Sequence, residues 1–208
     1  MTNSTAFWNK MAPRYARAKI RDVAAYEYTL GRTLSYLTPT SRVLEIACGT
    51  GSTAVLIAPH VAHITATDAA TAMIDIARNK SADLPNMDLR VATAAQAVGF
   101  DGPFDAVLAF SILHLLDDRA DVLAQIYAKL PSGGFLISKT PCLSDPALGY
   151  KRFLIRALVP VLRLFGLAPN LGFFTGVQME RAIKDAGFVI EESGNFPAMS
   201  RYVVARKP

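Results

Sequence analysis

Glu45, Gly49, Gly51 and Asp68 are the residues of this 208-residue chain whose types and spacing first suggest chemistry. The stretch RVLEIACGTGSTA starts at Arg42 as an apolar, β-forming run, carries one acid at Glu45 and breaks into Gly49-Thr50-Gly51. Glycines allow positive φ and a close backbone approach, so a strand can turn sharply into a helix whose free N–H groups face outward. Something polar or charged is expected at that mouth, with Ala47 and Thr50 in the same turn. Gly49 through Ala54 fits the G-x-G-x-x-G/A pattern of dinucleotide binding, and Asp68 closes the next β-like run, where an acid would bind ribose hydroxyls. On that evidence alone NAD competes. Glu45, however, is badly placed for a pyrophosphate and well placed for a ligand with a cationic amino group.

A second set of residues could act on whatever is bound. His114 follows the run FDAVLAF in SILHLLDD, on the side of the sheet where ligands bind. It is either a general base or a packing residue. Tyr15, in WNKMAPRY, is the second catalytic candidate; Trp8, Tyr26 and Tyr28 read as ordinary helix packing. Two cysteines, Cys48 and Cys142, cannot make a disulfide scaffold and read as small packed residues; no Cys/His cluster has zinc spacing, so no metal is expected.

These residues need elements to hold them. RVLEIA, AHITAT, MDLRVA, FDAVLAF and GGFLISKT read as strands, alternating with helices over 53–58, 72–79 and 121–130. That alternation predicts a mostly parallel sheet with helices on both faces. After a helix over 177–186, FVIEES and SRYVVARK are joined by too few residues for a parallel crossover and should form an antiparallel hairpin. Ahead of the first strand, a helical segment over 6–37 is broken at Pro13 and could fold over the site. The length suits one domain, 1–208, with a helical lid over 1–37 and an apolar, basic insert over 143–176.

VLEIACGTG, TATDAATAMIDIAR, FDAVLAFSILHLLDD, GGFLI and DAGFVIEES before RYVVARK occur in that order over most of the chain. In this ordered set the sequence resembles class I S-adenosylmethionine-dependent methyltransferases, specifically the small-molecule branch related to ubiquinone/menaquinone and phosphoethanolamine methyltransferases. The resemblance implies a seven-stranded, mostly parallel Rossmann-like α/β sheet with an antiparallel C-terminal strand and a helical N-terminal lid. It implies S-adenosylmethionine as cofactor, with the loop Ala47–Gly51, including Gly49, Thr50 and Gly51, on its amino-acid end, Glu45 facing that end and Asp68 on the ribose. Ala69 and Met73 would flank the adenine, Ala94 and Ala95 its other side, with Phe110 completing the cofactor set. Ala94 stands where relatives often carry an Asp that accepts from the adenine amine, leaving backbone groups and packing, with Gln96 nearby. Tyr15 and His114 would close together over the acceptor and orient or deprotonate it.

The implied function is methyl transfer to a small or lipid-like acceptor at N or O, such as a phospholipid amine or a quinone precursor. Its rivals are a non-catalytic binder of the same cofactor and an oxidoreductase using the glycine loop. The chain lacks the Asn/Asp-Pro-Pro-Tyr/Phe motif of amino-methylating DNA enzymes, so a nucleic-acid partner is not expected. With no secretory signal pattern and no apolar run of spanning length, a cytoplasmic protein is the expectation.

Net charge is +5, and the insert YKRFLIRALVPVLRLFGLA holds four basic residues and no acid. At about 100° per residue Arg152, Arg156 and Arg163 form a stripe among apolar side chains. Two readings stand: a helical cap over the site, which is preferred, and a helix lying on an anionic membrane surface. Pro160 is expected to kink the helix or start a second one. Both readings imply a lipophilic acceptor.

Overall fold

A computed structural model describes residues 3–208. Seven strands form one sheet: β1 (Arg42–Ile46), β2 (His63–Asp68), β3 (Met87–Val91), β4 (Ala106–Phe110), β5 (Phe135–Pro141), β6 (Val189–Asn195) and β7 (Ser200–Arg206). Their spatial order is β3-β2-β1-β4-β5-β7-β6. The first five run parallel, while β7 is antiparallel to both β5 and β6, so the expected hairpin closes the sheet. The order reverses between β1 and β4, which opens a crevice at the carboxyl ends of those strands, where α/β sheets bind ligands.

Alternation along the strands builds a core on each face. Leu44, Val107, Leu136 and Val203 point to one side, under α5 (Ala94–Val98), α6 (Arg119–Lys129) and α8 (Gly176–Asp185). Val43, Leu108, Ile137 and Val204 point to the other, with Ile57 of α3 (Ser52–Ile57) and with Leu30 and Leu34 of α2 (Val23–Leu34). On that side the Arg32 guanidinium grips Glu192 of β6 through both carboxylate oxygens, with Nη2 to Oε2 at 2.6 Å, and Tyr36 donates to the same carboxylate at 3.1 Å. Thr33 and Tyr202 share a hydrogen bond of 3.2 Å. These contacts fix α2 against the closing hairpin.

The lid departs from the expectation at one point. α1 (Asn3–Arg17) runs straight through Pro13, and the break falls after Arg17. Pro13 is exposed, so water can satisfy the carbonyl it frees. The lid is docked, not free: Ala12 is fully buried with Ala70 and Met73, and the Asn9 side chain accepts from Ala72 N–H at 2.9 Å, at the start of α4 (Thr71–Lys80).

α7 (Lys151–Leu164) likewise continues through exposed Pro160 as one helix, so the predicted interruption does not occur. It also fails to bury an apolar face as a cap would. None of its residues is buried; Ile155, Val159 and Leu162 are half-buried on the inner arc, while Phe153, Leu154, Leu158, Val161 and Leu164 stand exposed on the outer one. The residues that reach the crevice are Pro169, Asn170 and Leu171, just beyond it.

Candidate active site

The end of β1 enters a turn in which Ala47, Gly49 and Gly51 all have positive φ, at 54°, 56° and 71°. Asp68, at the end of β2, organises this turn: Oδ2 accepts from Gly49 N–H at 3.0 Å and Oδ1 from Ala70 N–H at 2.8 Å. Each carboxylate oxygen keeps a lone pair for a ligand hydroxyl. Lys80 supports the loop from below, donating to Thr50 Oγ1 at 2.9 Å and Ser52 Oγ at 2.8 Å.

A cavity of about 1200 Å³ opens over this turn. That exceeds the ~300–1,000 Å³ of ordinary ligand sites and leaves room for a cofactor and a second molecule. Glu45, Ala47, Gly49, Thr50, Asp68, Ala69, Met73, Ala94, Ala95, Phe110, His114 and Tyr15 all line it. Glu45 is only 2% exposed, and Oε2 has no hydrogen-bond partner. Burial, and then the nearby Asp68 charge, push its carboxyl up to about 8. Burial also raises Asp68, against the two backbone N–H groups that lower it. A buried, unpartnered carboxyl beside a second acid fits a cationic group, as the ammonium of an amino-acid moiety would supply.

His114 sits in the single 3-10 turn Leu113–Leu115 after β4, buried, with Nδ1 unpartnered. Burial lowers its pKa to about 4. The imidazole is therefore neutral at physiological pH but far from the near-neutral value a strong general base needs. Tyr15 lies over the loop, its Cε1 3.6 Å from where a Cβ on Gly49 would stand, and packs edge-on to Trp8. Its phenol is raised by burial first and then by Asp68 and Glu45, so it is a hydrogen-bond donor and not a base. No hydrogen bond joins Tyr15 to His114. Among the described residues no group of three His, Cys, Asp or Glu side chains could hold a metal ion.

Residues 43–134 match the family model described as a methyltransferase domain. Demethylmenaquinone methyltransferase from Listeria welshimeri is 28% identical over 169 residues, which are 77% of this chain and 66% of that enzyme; the chain thus spans just under two thirds of that relative's length. Over residues 43–134 the chain is thus similar to a methyltransferase domain. Solved structures agree on the fold. Magnesium protoporphyrin IX methyltransferase from Synechocystis, with bound SAM, superposes with a TM-score of 0.70 at 15% identity, covering 100% of this chain and 98% of that one. DhpI in complex with SAH gives 0.73 at 16% identity, covering 99% and 95%.

Two residues of the expected site, Gly51 and Gln96, are not among those that line the cavity. A Cβ on Gly51 would stand 2.8 Å from Ala77 Cβ, so this glycine lets α3 approach α4 and does not make room for a ligand. The Gln96 side chain is engaged locally: its Oε1 accepts from Thr93 N–H at 2.9 Å in a capping box that starts α5. Cys48 does border the cavity, but burial raises its thiol well above the ordinary range, which keeps it unreactive. Cys142 is buried, as expected of a packed residue.

Trp8, Tyr26, Thr29 and Lys139 are among the lining residues that sequence reasoning passed over. Trp8 and Tyr26, read as packing, face the cavity, Tyr26 sharing a 3.3 Å hydrogen bond with Thr53. Thr29 of α2 and Lys139 of β5 line its other end. The basic character of strand GGFLISKT was the available signal for Lys139.

Proposed function

We propose that the protein transfers the methyl group of S-adenosylmethionine to a small, lipophilic acceptor. The observation that carries this is the orphaned, buried Glu45 carboxyl, beside Asp68, at the mouth of a positive-φ turn. Those two acids suit a ligand with an ammonium at one end and a ribose in the middle. Asp68 offers lone pairs to two hydroxyls, while Ala69, Met73, Ala94 and Ala95 form the small apolar slot an adenine requires. NAD, whose pyrophosphate carries negative charge, would meet two carboxyl groups instead. The sulfonium brings the reacting methyl; this chain's residues orient the partners and exclude water. In-line displacement needs mainly such positioning. Tyr15 donates its phenol proton at the cofactor end, under the docked lid. His114, a neutral imidazole, orients the acceptor at the exit of β4.

Calorimetric titration with S-adenosylhomocysteine and with NAD tests the cofactor: tight binding of the first and none of the second is expected, and the reverse would overturn the reading. Turnover on a screen of apolar acceptors separates an enzyme from a protein that only binds the cofactor.

Contact with an anionic membrane surface belongs to the same proposal, and the outer arc of α7 supports it. At about 1.5 Å per residue this helix is about 21 Å long, and no described helix is long and apolar enough to cross a membrane. Phe153, Leu154, Leu158, Val161 and Leu164 form an exposed apolar strip flanked by Arg152, Arg156 and Arg163. Such a strip suits the headgroup boundary, with each basic residue worth about 1 kcal/mol near anionic lipid. Reversing the three arginines to Glu should abolish salt-sensitive sedimentation with anionic vesicles. Wild-type protein that ignores such vesicles would remove the membrane from the proposal.

A further inference from the structure

Four acids line the cavity: Glu45 and Asp68 at its β1–β2 end, and Asp117 and Asp118 on the loop beyond His114. Two strands from β1, beyond β4, Lys139 enters from β5, which at about 4.8 Å per strand is about 10 Å away. Its ammonium donates to Thr29 Oγ1 at 3.0 Å. The Thr29 hydroxyl gives its own proton to the carbonyls of Ala25 and Tyr26, at 2.9 and 3.1 Å, so toward Lys139 it acts only as an acceptor. One of three ammonium protons is thereby used. No carboxylate of the described residues makes an ion pair with Lys139; burial lowers its pKa, and the Asp22 charge opposes that only in part. A half-buried cation with two further donors, in a cavity whose lining includes Phe110, Ile112, Pro141 and Leu171, is costly unless something anionic or strongly hydrogen-bonding meets it.

We infer that Lys139 anchors the acceptor and selects one bearing an acidic oxygen, a phenol, enol or carboxylic acid, over one bearing a cationic amine. This rests on the methyltransferase reading and narrows its acceptor. A charged amine, as in a phospholipid amine, would meet the Lys139 ammonium as a like charge. An oxygen acid on an apolar ring has both requirements met: donors from Lys139 and an apolar wall around the ring. Thr29 fixes the ammonium through α2, which Arg32 and Glu192 in turn hold to the sheet.

The test uses the full chain saturated with S-adenosylhomocysteine and three probes on one ring: 1-naphthol, 1-naphthoate and 1-naphthylmethylamine. Wild-type protein should bind at least one of the oxygen acids tenfold or more tighter than the amine, and the stronger of the two identifies the phenolic or the carboxylic source. Lys139→Met should erase that preference while leaving cofactor affinity and thermal stability close to wild type; Lys139→Arg should restore it. A purely structural tie to Thr29 would alter all three probes alike. Equal binding of the probes, tighter binding of the amine, failure of all three to bind, or a preference that survives in Lys139→Met would overturn the inference. Failure of S-adenosylhomocysteine itself to bind is a separate result and would overturn the cofactor reading beneath it.

Discussion

Protonation of Glu45 should couple cofactor binding to pH. In the free protein its carboxyl sits at about 8, so at pH 7 about nine molecules in ten hold it protonated. An incoming ammonium favours the ionised form, and binding at pH 7 should release about 0.9 proton. The protonated majority weakens the apparent affinity about tenfold, or about 1.4 kcal/mol, relative to pH 9. The dissociation constant should fall about tenfold from pH 6 to 7 and level off above 8. Calorimetry with S-adenosylhomocysteine in two buffers of different ionisation heat counts the protons directly. Glu45→Gln should bind with no proton release and no such slope. The same group shapes stability without ligand. Its folded value lies above the ordinary 4.5, so between those values the native state holds more protons than the unfolded chain. Stability should therefore decline as pH rises from 4.5 through 8, by up to about 5 kcal/mol, and Glu45→Gln should lack that decline. Proton release near zero at pH 7, together with an affinity flat from pH 6 to 8, would refute the reasoning.

Two further outcomes follow from the same geometry. Gly51→Ala places a Cβ against Ala77 at a residue with φ of 71°, combining a left-handed cost of about 1–2 kcal/mol with overpacking of about 1–3 kcal/mol; denaturant unfolding should show a loss of about 2–5 kcal/mol, and wild-type stability would show that α3 and α4 separate easily. His114 has its pKa lowered from 6.5 to about 4, so its contribution to stability is present above 6.5 and disappears as pH falls toward 4, worth up to about 3 kcal/mol. His114→Gln should flatten that acid limb and lower turnover by less than the ~100-fold minimum typical of a general base; a rate profile of the wild type with an inflection between pH 6 and 7 that the variant lacks would contradict this.

Much of the fold could be read from the chain because its signals are local. Each strand of the parallel half is a short apolar run followed by a helical stretch, and the short link between FVIEES and SRYVVARK excludes a crossover. The two prolines misled for an equally local reason. Pro13 and Pro160 were read as breaks because a proline removes one helical hydrogen bond, yet both sit on exposed faces where water replaces it, and packing on only one side of each helix suffices to hold it. α7 exposes the limit of periodicity most plainly. Its pattern showed an apolar helix with an arginine stripe, but could not show that the inner arc would be only half-buried and the outer arc not buried at all.

The candidate site divides along the same line. Glu45, Gly49 and Asp68 are found from sequence because a glycine turn and an acid at the next strand end form a continuous local motif. Gly51 belongs to that motif and was assigned to the ligand with the rest, although its neighbour is Ala77, 26 positions on, which no turn pattern reveals. Lys139 was missed for the complementary reason: one lysine in the strand run GGFLISKT names no ligand until the residues that face it are known. Its place in the cavity emerges only when the strand order sets β5 beside β4 and α2 brings Thr29 across the end of the sheet. That placement is a property of topology. On the proposed reading the Glu45 and Asp68 end takes the cofactor and the Lys139 end the acceptor, and β4, with His114 at its exit, is where the two bound molecules would have to meet.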